Sequence, residues 1–353
     1  MAVVYFRSWE NFNDPGAVGD ANNIQLARDG LTASGSGTDS PRIWLTDGPF
    51  GGAAISTRTL NGWLNAQIGQ AVGPTFMFAC WIKTDSATWG CDVFNFYAYG
   101  RTGKHCAVEI NSSGQVVVKR NTVTLGTSTL TVPVSGVWSH FAIKYLIDNA
   151  SGTVDVEVDG TSYLSLTAQD TLESSYNAEI QSWEIASNKY EHLFRIAQPI
   201  VWTTAGDAPT DLFGLHKIWA LRPNADTAQQ DFAQSAGSDA YAMVDEAEAD
   251  DDSTYNHTST ATDKDRLDVA NMPETPQTIY GVQAVVLHKQ SDAGARGVKP
   301  GLYSGTTESA AATAHGSGIN YKYGYHLTTK NPDDAAVWEE ADVNAVKVQY
   351  EAT

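Results

Sequence analysis

Charged residues, and basic ones above all, are scarce in this chain of 353 residues. Charged side chains make up 18% of the sequence, and 22 Lys and Arg face 41 Asp and Glu, which leaves a net charge of −19. A surface this acidic repels phosphate backbones, so we expect no nucleic-acid binding. No apolar run approaches the ~20 residues needed to cross a bilayer, so we expect no membrane insertion.

Cysteine is also rare. Cys80, Cys91 and Cys106 lie in one strand-rich region and lack the C-x-x-C or Cys/His spacing of a zinc site. We expect buried, reduced thiols; a Cys80–Cys91 or Cys91–Cys106 bridge is the alternative. The first residues, Met-Ala-Val-Val-Tyr-Phe-Arg, lack the basic and apolar segments of a secretory signal, so we expect synthesis in a cytoplasm.

Helical periodicity is nearly absent, and apolar and polar residues alternate with period two instead. Clusters of Gly, Asn, Asp and Ser separate the alternating runs. The predicted strands are Thr75–Lys83, Val93–Tyr99, Ala107–Ile110, Gln115–Arg120, Trp138–Ile147, Thr153–Val158, Gln181–Ala186 and His192–Trp202. Short strands at even spacing predict an all-β fold, an antiparallel jelly-roll sandwich.

The pattern changes after Phe213, where polar and acidic residues become more frequent. Further strands are predicted at Leu215–Leu221, Thr278–Gln290, Val298–Ser304, Tyr321–Thr328 and Ala345–Glu351. A short helix is predicted over Ala335–Asn344, because Asn331 and the acidic residues after it can cap it. We therefore predict two domains: a jelly roll over residues 1–213, and a smaller, acidic β-sandwich module over residues 214–353.

Three segments of the first domain resemble the concanavalin A-like, or laminin G-like, jelly roll. They are Phe76-Met-Phe-Ala-Cys-Trp-Ile-Lys83, Gly136-Val-Trp-Ser-His-Phe-Ala-Ile-Lys-Tyr145 and Val154-Asp-Val-Glu-Val-Asp-Gly160. Their order and spacing match three strands of that family. The resemblance covers roughly residues 60–205 and implies the fold, because lectins, hydrolases and structural modules all use it.

The second part resembles a module of tailed-bacteriophage structural proteins that follows a laminin G-like domain. The matching segments are Leu221-Arg-Pro-Asn224, Tyr241-Ala-Met-Val-Asp-Glu246, Asp250-Asp-Asp-Ser-Thr-Tyr255, Asp263-Lys-Asp265, Ile279-Tyr-Gly-Val-Gln283, Asp292-Ala-Gly-Ala-Arg296 and Trp338-Glu-Glu-Ala-Asp-Val-Asn344. The resemblance implies a virion protein made in the host cytoplasm. It favours a tail-associated appendage, a tail fibre or tail tip component, that contributes to host-surface or glycan attachment. A capsid decoration or head fibre protein is the alternative, and a glycan hydrolase a further one.

The same resemblance implies the partners of the chain. They are other virion proteins, further copies of the chain itself and a host surface glycan. By analogy with phage appendages, a homo-oligomer is expected, with a trimer favoured.

A run of carboxylates is the strongest charge feature. Residues 245–252 contain Asp245, Glu246, Glu248, Asp250, Asp251 and Asp252. The D-x-[DN]-x-[DN]-G pattern of a calcium loop is absent, so we favour an acidic surface that docks on a basic neighbour, with a Ca²⁺ site as the alternative.

Aromatic residues supply the remaining candidates. Trp89 lies in a turn between predicted strands, where it could stack on a sugar, contact a subunit or pack locally. Tyr321, Tyr323 and Tyr325 alternate along one strand face, which is either a core edge or a docking face.

No catalytic pattern is evident. The E-x-D-x-x-E spacing of concanavalin-like glycosidases, the G-x-S-x-G elbow and the P-loop are all missing. Asp155, Glu157 and Asp159 are expected to share a solvent-facing strand face, and His140 is expected to be half-buried and hydrogen-bonded. We therefore predict that the chain is not an enzyme and has no cofactor.

Overall fold

The protein is built almost entirely from β-strands in a computed structural model that describes most of the chain. The described residues are 3–6, 31–34, 42–44, 49–50, 54–57, 62–84, 90–100, 102–133, 136–187, 194–204, 214–246, 250–291 and 296–353. They form two compact units, Met1–Ile218 and Trp219–Thr353.

The first unit contains an eight-stranded antiparallel sheet. Its strands are β1 (Val3–Phe6), β3 (Arg42–Trp44), β4 (Ala54–Thr57), β6 (Thr75–Thr84), β11 (Ser139–Leu146), β12 (Gly152–Val158), β13 (Thr161–Gln169) and β15 (Phe194–Thr203). Their order is β13-β12-β11-β6-β15-β4-β3, and β1 pairs with β15. In β12 the valines are buried and Asp155 and Glu157 are partly exposed, as predicted, while Asp159 lies in the turn after the strand.

A second sheet, of seven strands, lies over the first. It consists of β2 (Leu31–Ser34), β5 (Gly62–Val72), β7 (Cys91–Tyr99), β8 (Thr102–Ile110), β9 (Gln115–Arg120), β10 (Val123–Thr131) and β14 (Ile180–Ser187). The order is β10-β9-β8-β7-β14-β5-β2, with antiparallel neighbours throughout.

Aromatic side chains fill the space between the two sheets. The Phe78 ring of β6 packs within 4.9 Å of Phe94 and 5.2 Å of Phe96 on β7, and within 5.2 Å of Trp183 on β14, measured between ring centroids. Each buried ring of this kind contributes a few kcal/mol through the area it removes from water. The period-two pattern of the sequence arises here, because every second residue faces this core.

The cysteines confirm the prediction of buried thiols. Cys80, Cys91 and Cys106 are buried and form no disulfide. Burial raises the pKa of the Cys80 and Cys106 thiols well above the usual value. They therefore act as small apolar core residues.

The strand predicted over Leu215–Leu221 does not form. Side chains of the eight-stranded sheet bind this segment instead. Trp81 donates from Nε1 to the His216 carbonyl oxygen at 2.9 Å. The Gln198 amide pairs with both backbone groups of Ile218, donating to its carbonyl at 3.1 Å and accepting from its N–H at 3.0 Å. Because these side chains satisfy the backbone groups of His216 and Ile218, the segment needs no neighbouring strand there.

The second unit contains a six-stranded antiparallel sheet, a smaller two-stranded one and a further pair of very short strands. The larger has the order β16 (Pro223–Gln230), β19 (Lys264–Val269), β25 (Lys347–Ala352), β21 (Gly297–Ser304) and β22 (Thr307–Ala310), with β23 (His315–Gly316) beside β21. The smaller pairs β20 (Val282–His288) with β24 (Lys322–Thr328), and β17 (Ala233–Gln234) pairs with β18 (Asn256–His257). Ala284 of β20 and Leu302 of β21 share one apolar core with Trp338.

The helix of the second unit is shorter than predicted. Helix α1 covers Glu340–Ala345, not Ala335–Asn344. The Glu339 side chain caps it in a reciprocal capping box with Asp342, whereas Asn331 accepts a hydrogen bond within the preceding turn. The predicted all-β, antiparallel sandwich fold is confirmed.

Candidate functional site

The acidic stretch of the second unit is partly satisfied within itself. The Thr254 hydroxyl lies 2.6 Å from Glu246 Oε1 and 2.7 Å from Asp250 Oδ2. One hydroxyl proton serves one acceptor at a time, so this group alternates between the two carboxylates. Asp245 is exposed, and Glu248 lies outside the described residues.

Asp252 connects the acidic stretch to Tyr321, the residue that precedes β24, a contact that the sequence does not indicate. Its carboxylate accepts hydrogen bonds from the Lys289 ammonium and from the Tyr321 hydroxyl, the latter at 3.0 Å. The Lys289 ammonium also lies 4.7 Å from the centre of the Tyr321 ring. The hydrogen bonds from Lys289 and then Tyr321 lower the pKa of Asp252.

Tyr323 and Tyr325 share one face of β24, and their rings lie 6.1 Å apart. Both are partly exposed. Trp89 lies outside the described residues, so its role stays a prediction. Within the described ranges, no three His, Cys, Asp or Glu side chains are arranged to hold a metal ion. None of the helical segments described has the length and apolar character that a bilayer crossing needs.

The most unusual polar group lies on the outer face of the seven-stranded sheet of the first unit. Glu184 of β14 stands in register with Asn65 of β5 and Asn95 of β7. Trp183 and Phe94 on the same strands face the core, so the alternation of a strand turns Glu184 and Asn95 to the opposite face. The three polar residues are nevertheless only 1–3% exposed. We call Asn65, Asn95, Tyr97 and Glu184 the sheet-face cluster.

Hydrogen bonds hold the sheet-face cluster together. Glu184 Oε1 accepts from Asn95 Nδ2 at 3.1 Å and from the Tyr97 hydroxyl at 3.2 Å. Asn65 Nδ2 donates to the Trp183 carbonyl at 3.3 Å. Asn95 Oδ1 is buried and has no hydrogen-bond partner in the part of the chain that the structure describes. A buried acceptor without a donor is costly and marks a place where a ligand group or water can bind.

Charged side chains surround the cluster. The ammonium of Lys119 on β9 pairs with the carboxylate of Glu109 on β8. Asp92 of β7 has its pKa raised, first by burial and then by repulsion from Glu109 and Glu184, against the attraction of Lys104 and Lys119. This face of the sheet therefore presents both signs of charge beside neutral amides.

A cleft of about 410 Å³ opens at one side of the cluster. We call it the Tyr97 cleft; its lining residues are Tyr97, Gly103, Lys104, Asn121, Glu173, Ser175 and Tyr176. Tyr97 belongs to both features, because its hydroxyl donates to Glu184 and the residue also lines the cleft. Tyr176 is 38% exposed. The residues that line the cleft thus include two tyrosines, an amide, an ammonium and a carboxylate.

His105 fixes the loop that supplies one wall of the Tyr97 cleft. Its Nδ1 accepts from the Glu173 backbone N–H at 3.0 Å, so the proton lies on Nε2, which donates to the Asn177 carbonyl at 2.8 Å. Burial lowers the pKa of this histidine, which favours the neutral ring that these two bonds require. Both nitrogens of the His105 ring therefore form hydrogen bonds with the backbone of this loop.

The sequence contains a signal for the sheet-face cluster that motif searches miss. Asn95 stands between Phe94 and Phe96, and Glu184 between Trp183 and Ile185, each flanked by apolar residues on both sides. A polar residue in such a strand faces away from the aromatic core, toward a surface. Only the pairing of β5, β7 and β14 shows that these polar residues lie together.

No protein-family model and no curated protein sequence matches the chain. Solved structures to which part of the chain is similar include domain 4 of AbnA, a GH43 extracellular arabinanase from Geobacillus stearothermophilus in complex with arabinotriose. It has 17% identity over 49% of this chain and 82% of that chain, with a TM-score of 0.37. The globular domain of T. cruzi calreticulin has 10% identity over 57% of this chain and 88% of that chain, with a TM-score of 0.39.

A third such structure is of botulinum neurotoxin type C, whose cell entry is described as dependent on interaction with two ganglioside molecules. It has 10% identity over 49% of this chain and 42% of that chain, with a TM-score of 0.35. The fold assignment of the present chain depends on its own sheet topology.

Proposed function

We propose that the protein is a non-enzymatic virion component that binds a surface glycan through the Tyr97 cleft. The observation that carries this proposal is the pairing, in one open cleft, of an exposed Tyr176 ring with Lys104, Asn121 and Glu173. An aromatic ring stacks on the C–H face of a sugar, while amide, ammonium and carboxylate groups bind its hydroxyls. The sequence resemblance to tailed-phage modules supports a place in a virion, and a tail-associated appendage is the role that such binding serves.

Glu184 favours binding over catalysis. A general acid or base of a glycosidase must reach the scissile bond. Glu184 is 2% exposed, and its Oε1 is engaged by Asn95 and Tyr97. The carboxylate therefore orders the wall of the cleft through Tyr97 and does not approach a substrate.

Glycan binding is tested with Tyr176→Ala. We expect this variant to bind host capsule or lipopolysaccharide fragments about ten-fold more weakly in calorimetric titrations, since stacking on an aromatic ring contributes about 1 kcal/mol or more. Tyr255→Ala is the matched control, because Tyr255 is an exposed tyrosine of the second unit. Equal affinities of the two variants would contradict the proposal.

Catalysis and location are separate arms of the same test. Incubation with capsule or lipopolysaccharide should release no new reducing ends, and their appearance would favour a hydrolase. Immunogold labelling should place the protein on the tail. Labelling of the head would replace the appendage with a capsid decoration protein.

A further inference from the structure

Two long outer strands lie on the same side of the first unit. β10 ends the seven-stranded sheet and β13 ends the eight-stranded sheet, and each has nine residues. They are in contact: a Cβ at Gly126 of β10 would lie 2.8 Å from the Leu166 side chain of β13, and the Tyr163 hydroxyl donates to the Thr131 carbonyl at 3.0 Å. We call these two strands, Val123–Thr131 and Thr161–Gln169, the uncharged edge.

Each strand of the uncharged edge has a neighbouring strand on one side only, although the carbonyl oxygens of Ser128, Leu130 and Thr131 in β10 accept hydrogen bonds from side chains. Among the described strands, β10 pairs with β9 alone, and β13 with β12 alone. An outer strand of this length presents a row of N–H and C=O groups to which another strand can add. The outer strands at the opposite ends of the two sheets, β2 and β3, have four and three residues.

The uncharged edge lacks the charged residues that usually protect an outer strand from pairing with another molecule. Natural edge strands carry Lys, other charges or Pro, which prevent pairing between molecules. β10 has the sequence VTLGTSTLT and β13 has TSYLSLTAQ, without a charge or a proline in either. The charges lie one strand inward, at Lys119 and Arg120 on β9 and at Asp155 and Glu157 on β12.

The outer strands of the larger sheet in the second unit follow the usual rule. β16 begins with Pro223 and contains Asp226, and β22 contains Glu308. The outer strands of that sheet thus carry the charge or proline that β10 and β13 lack.

The net charge of −19 decides which occupant fits the uncharged edge. A basic partner gains nothing from a surface without carboxylates, whereas two copies of this acidic chain repel each other everywhere except at such a surface. The register of β10 against β9 shifts twice, so side chains must contribute beside the backbone. Val123 and Leu130, 51% and 42% exposed, supply apolar area for that contact.

We propose that the uncharged edge is the self-association surface of this protein. Strand β10 pairs antiparallel with β10 of a second copy, across a two-fold axis near its middle residue, Thr127. Such an interface is isologous, so the same side chains meet their own counterparts. The proposal concerns a surface separate from the Tyr97 cleft and stands whether or not a glycan binds there.

A charge placed at Thr127 tests the proposal in the full chain. Thr127→Lys and Thr127→Glu should each raise the dimer Kd about ten-fold or more in sedimentation equilibrium, because each brings like charges together at the axis. An equal mixture of the two variants should recover the dimer, since opposite charges then meet. Thr260→Lys and Thr260→Glu, at an exposed threonine of the second unit, should leave the Kd unchanged.

The mixture separates self-association from binding of another partner. A partner with its own charge would be favoured by one sign at Thr127 and opposed by the other. Amide hydrogen exchange adds a test without variants: the β10 amides of the wild type should gain protection as its concentration rises. A wild type that stays monomeric at high concentration, a trimer insensitive to both charges, or exchange at β10 independent of concentration would each overturn the proposal.

Discussion

Gly103 shows at the scale of a single residue how the Tyr97 cleft depends on the backbone. Its φ is +67°, and a Cβ there would lie within 2.5 Å of the Tyr176 ring. Glycine is needed twice over at this position, for its backbone angle and for the close approach of the ring. The Tyr176 ring can therefore occupy its position only because residue 103 has no side chain.

Gly103→Ala should lower the free energy of unfolding by about 1–3 kcal/mol, because it adds a steric clash to backbone strain. Gly100→Ala is the matched control: its φ is +52°, but nothing lies within 4 Å of the added Cβ. Chemical denaturation of both variants isolates the clash, and equal losses of stability would contradict the packing of Tyr176 on Gly103.

The Asp252 contact leads to a second expectation at this scale. Lys289 and Tyr321 satisfy this carboxylate within the second unit, and their hydrogen bonds lower its pKa. Asp252→Asn should lower the Tm slightly, and the loss should shrink at high salt because the group is exposed and screened. A salt-independent loss would show that the contact depends on shape and not on charge.

At the scale of secondary-structure elements, His140 of β11 and His216 of the segment at the end of the first unit form a buried, hydrogen-bonded pair. Strand β11 supplies His140, which is 1% exposed and not half-buried as the sequence predicts. Its Nε2 lies 2.7 Å from His216 Nδ1, and His216 Nε2 lies 2.7 Å from the Gln198 carbonyl. That carbonyl needs a donor, so His216 carries its proton on Nε2 and accepts at Nδ1 from His140. His216 is therefore neutral, and burial, which lowers the pKa of His140, keeps that ring neutral as well.

The pair should make the first unit acid-sensitive. Burial, and for His140 also the neighbouring His216, lower the pKa values from 6.5 to about 3 for His140 and about 4 for His216. The unfolded chain therefore takes up these protons first, so stability is unaffected above about pH 6.5 and falls as the pH drops toward 4. The loss at pH 4 is on the order of 3 kcal/mol for each histidine.

Denaturation across this pH range measures the effect. His140→Gln keeps a donor toward His216 and removes one titrating group, so its stability should depend less steeply on pH than that of the wild type. His257→Gln is the control, since His257 is exposed. Identical pH profiles for the wild type and His140→Gln would show that the pair does not titrate in this way.

The whole molecule is dominated by its charge of −19. Copies that meet at the uncharged edge still repel one another over the rest of their surfaces. Raising the salt from about 20 to 300 mM should therefore lower the dimer Kd, because the screening length falls below the distance between most charges of the two copies. Light scattering across a salt series measures this, and a dimer that weakens with salt would show that ion pairs hold the interface.

Sequence patterns predict the fold class and many of the strands, but not β10, β13 or β19. Apolar runs, with clean alternation in β12, predict β6, β7, β9, β12 and β15 to within one or two residues, because apolar patterning is a local property of a strand. The predictions that are wrong concern segments whose hydrogen bonds come from side chains that the local pattern does not indicate. Trp81 and Gln198 bind the segment predicted as a strand over Leu215–Leu221, and Glu339 caps α1 in place of Asn331.

The contacts between polar residues follow from the order of the strands and not from local sequence. Asn95 and Glu184 are 89 positions apart, and His140 and His216 are 76 apart. An alternating pattern shows the face on which a side chain lies but not which strand lies beside it, since pairing depends on the order and register of all strands in the sheet. The candidate site and the uncharged edge both follow from that order: the first is built around β7, in the middle of the seven-stranded sheet, and the second consists of β10 and β13, the outer strands of the two sheets.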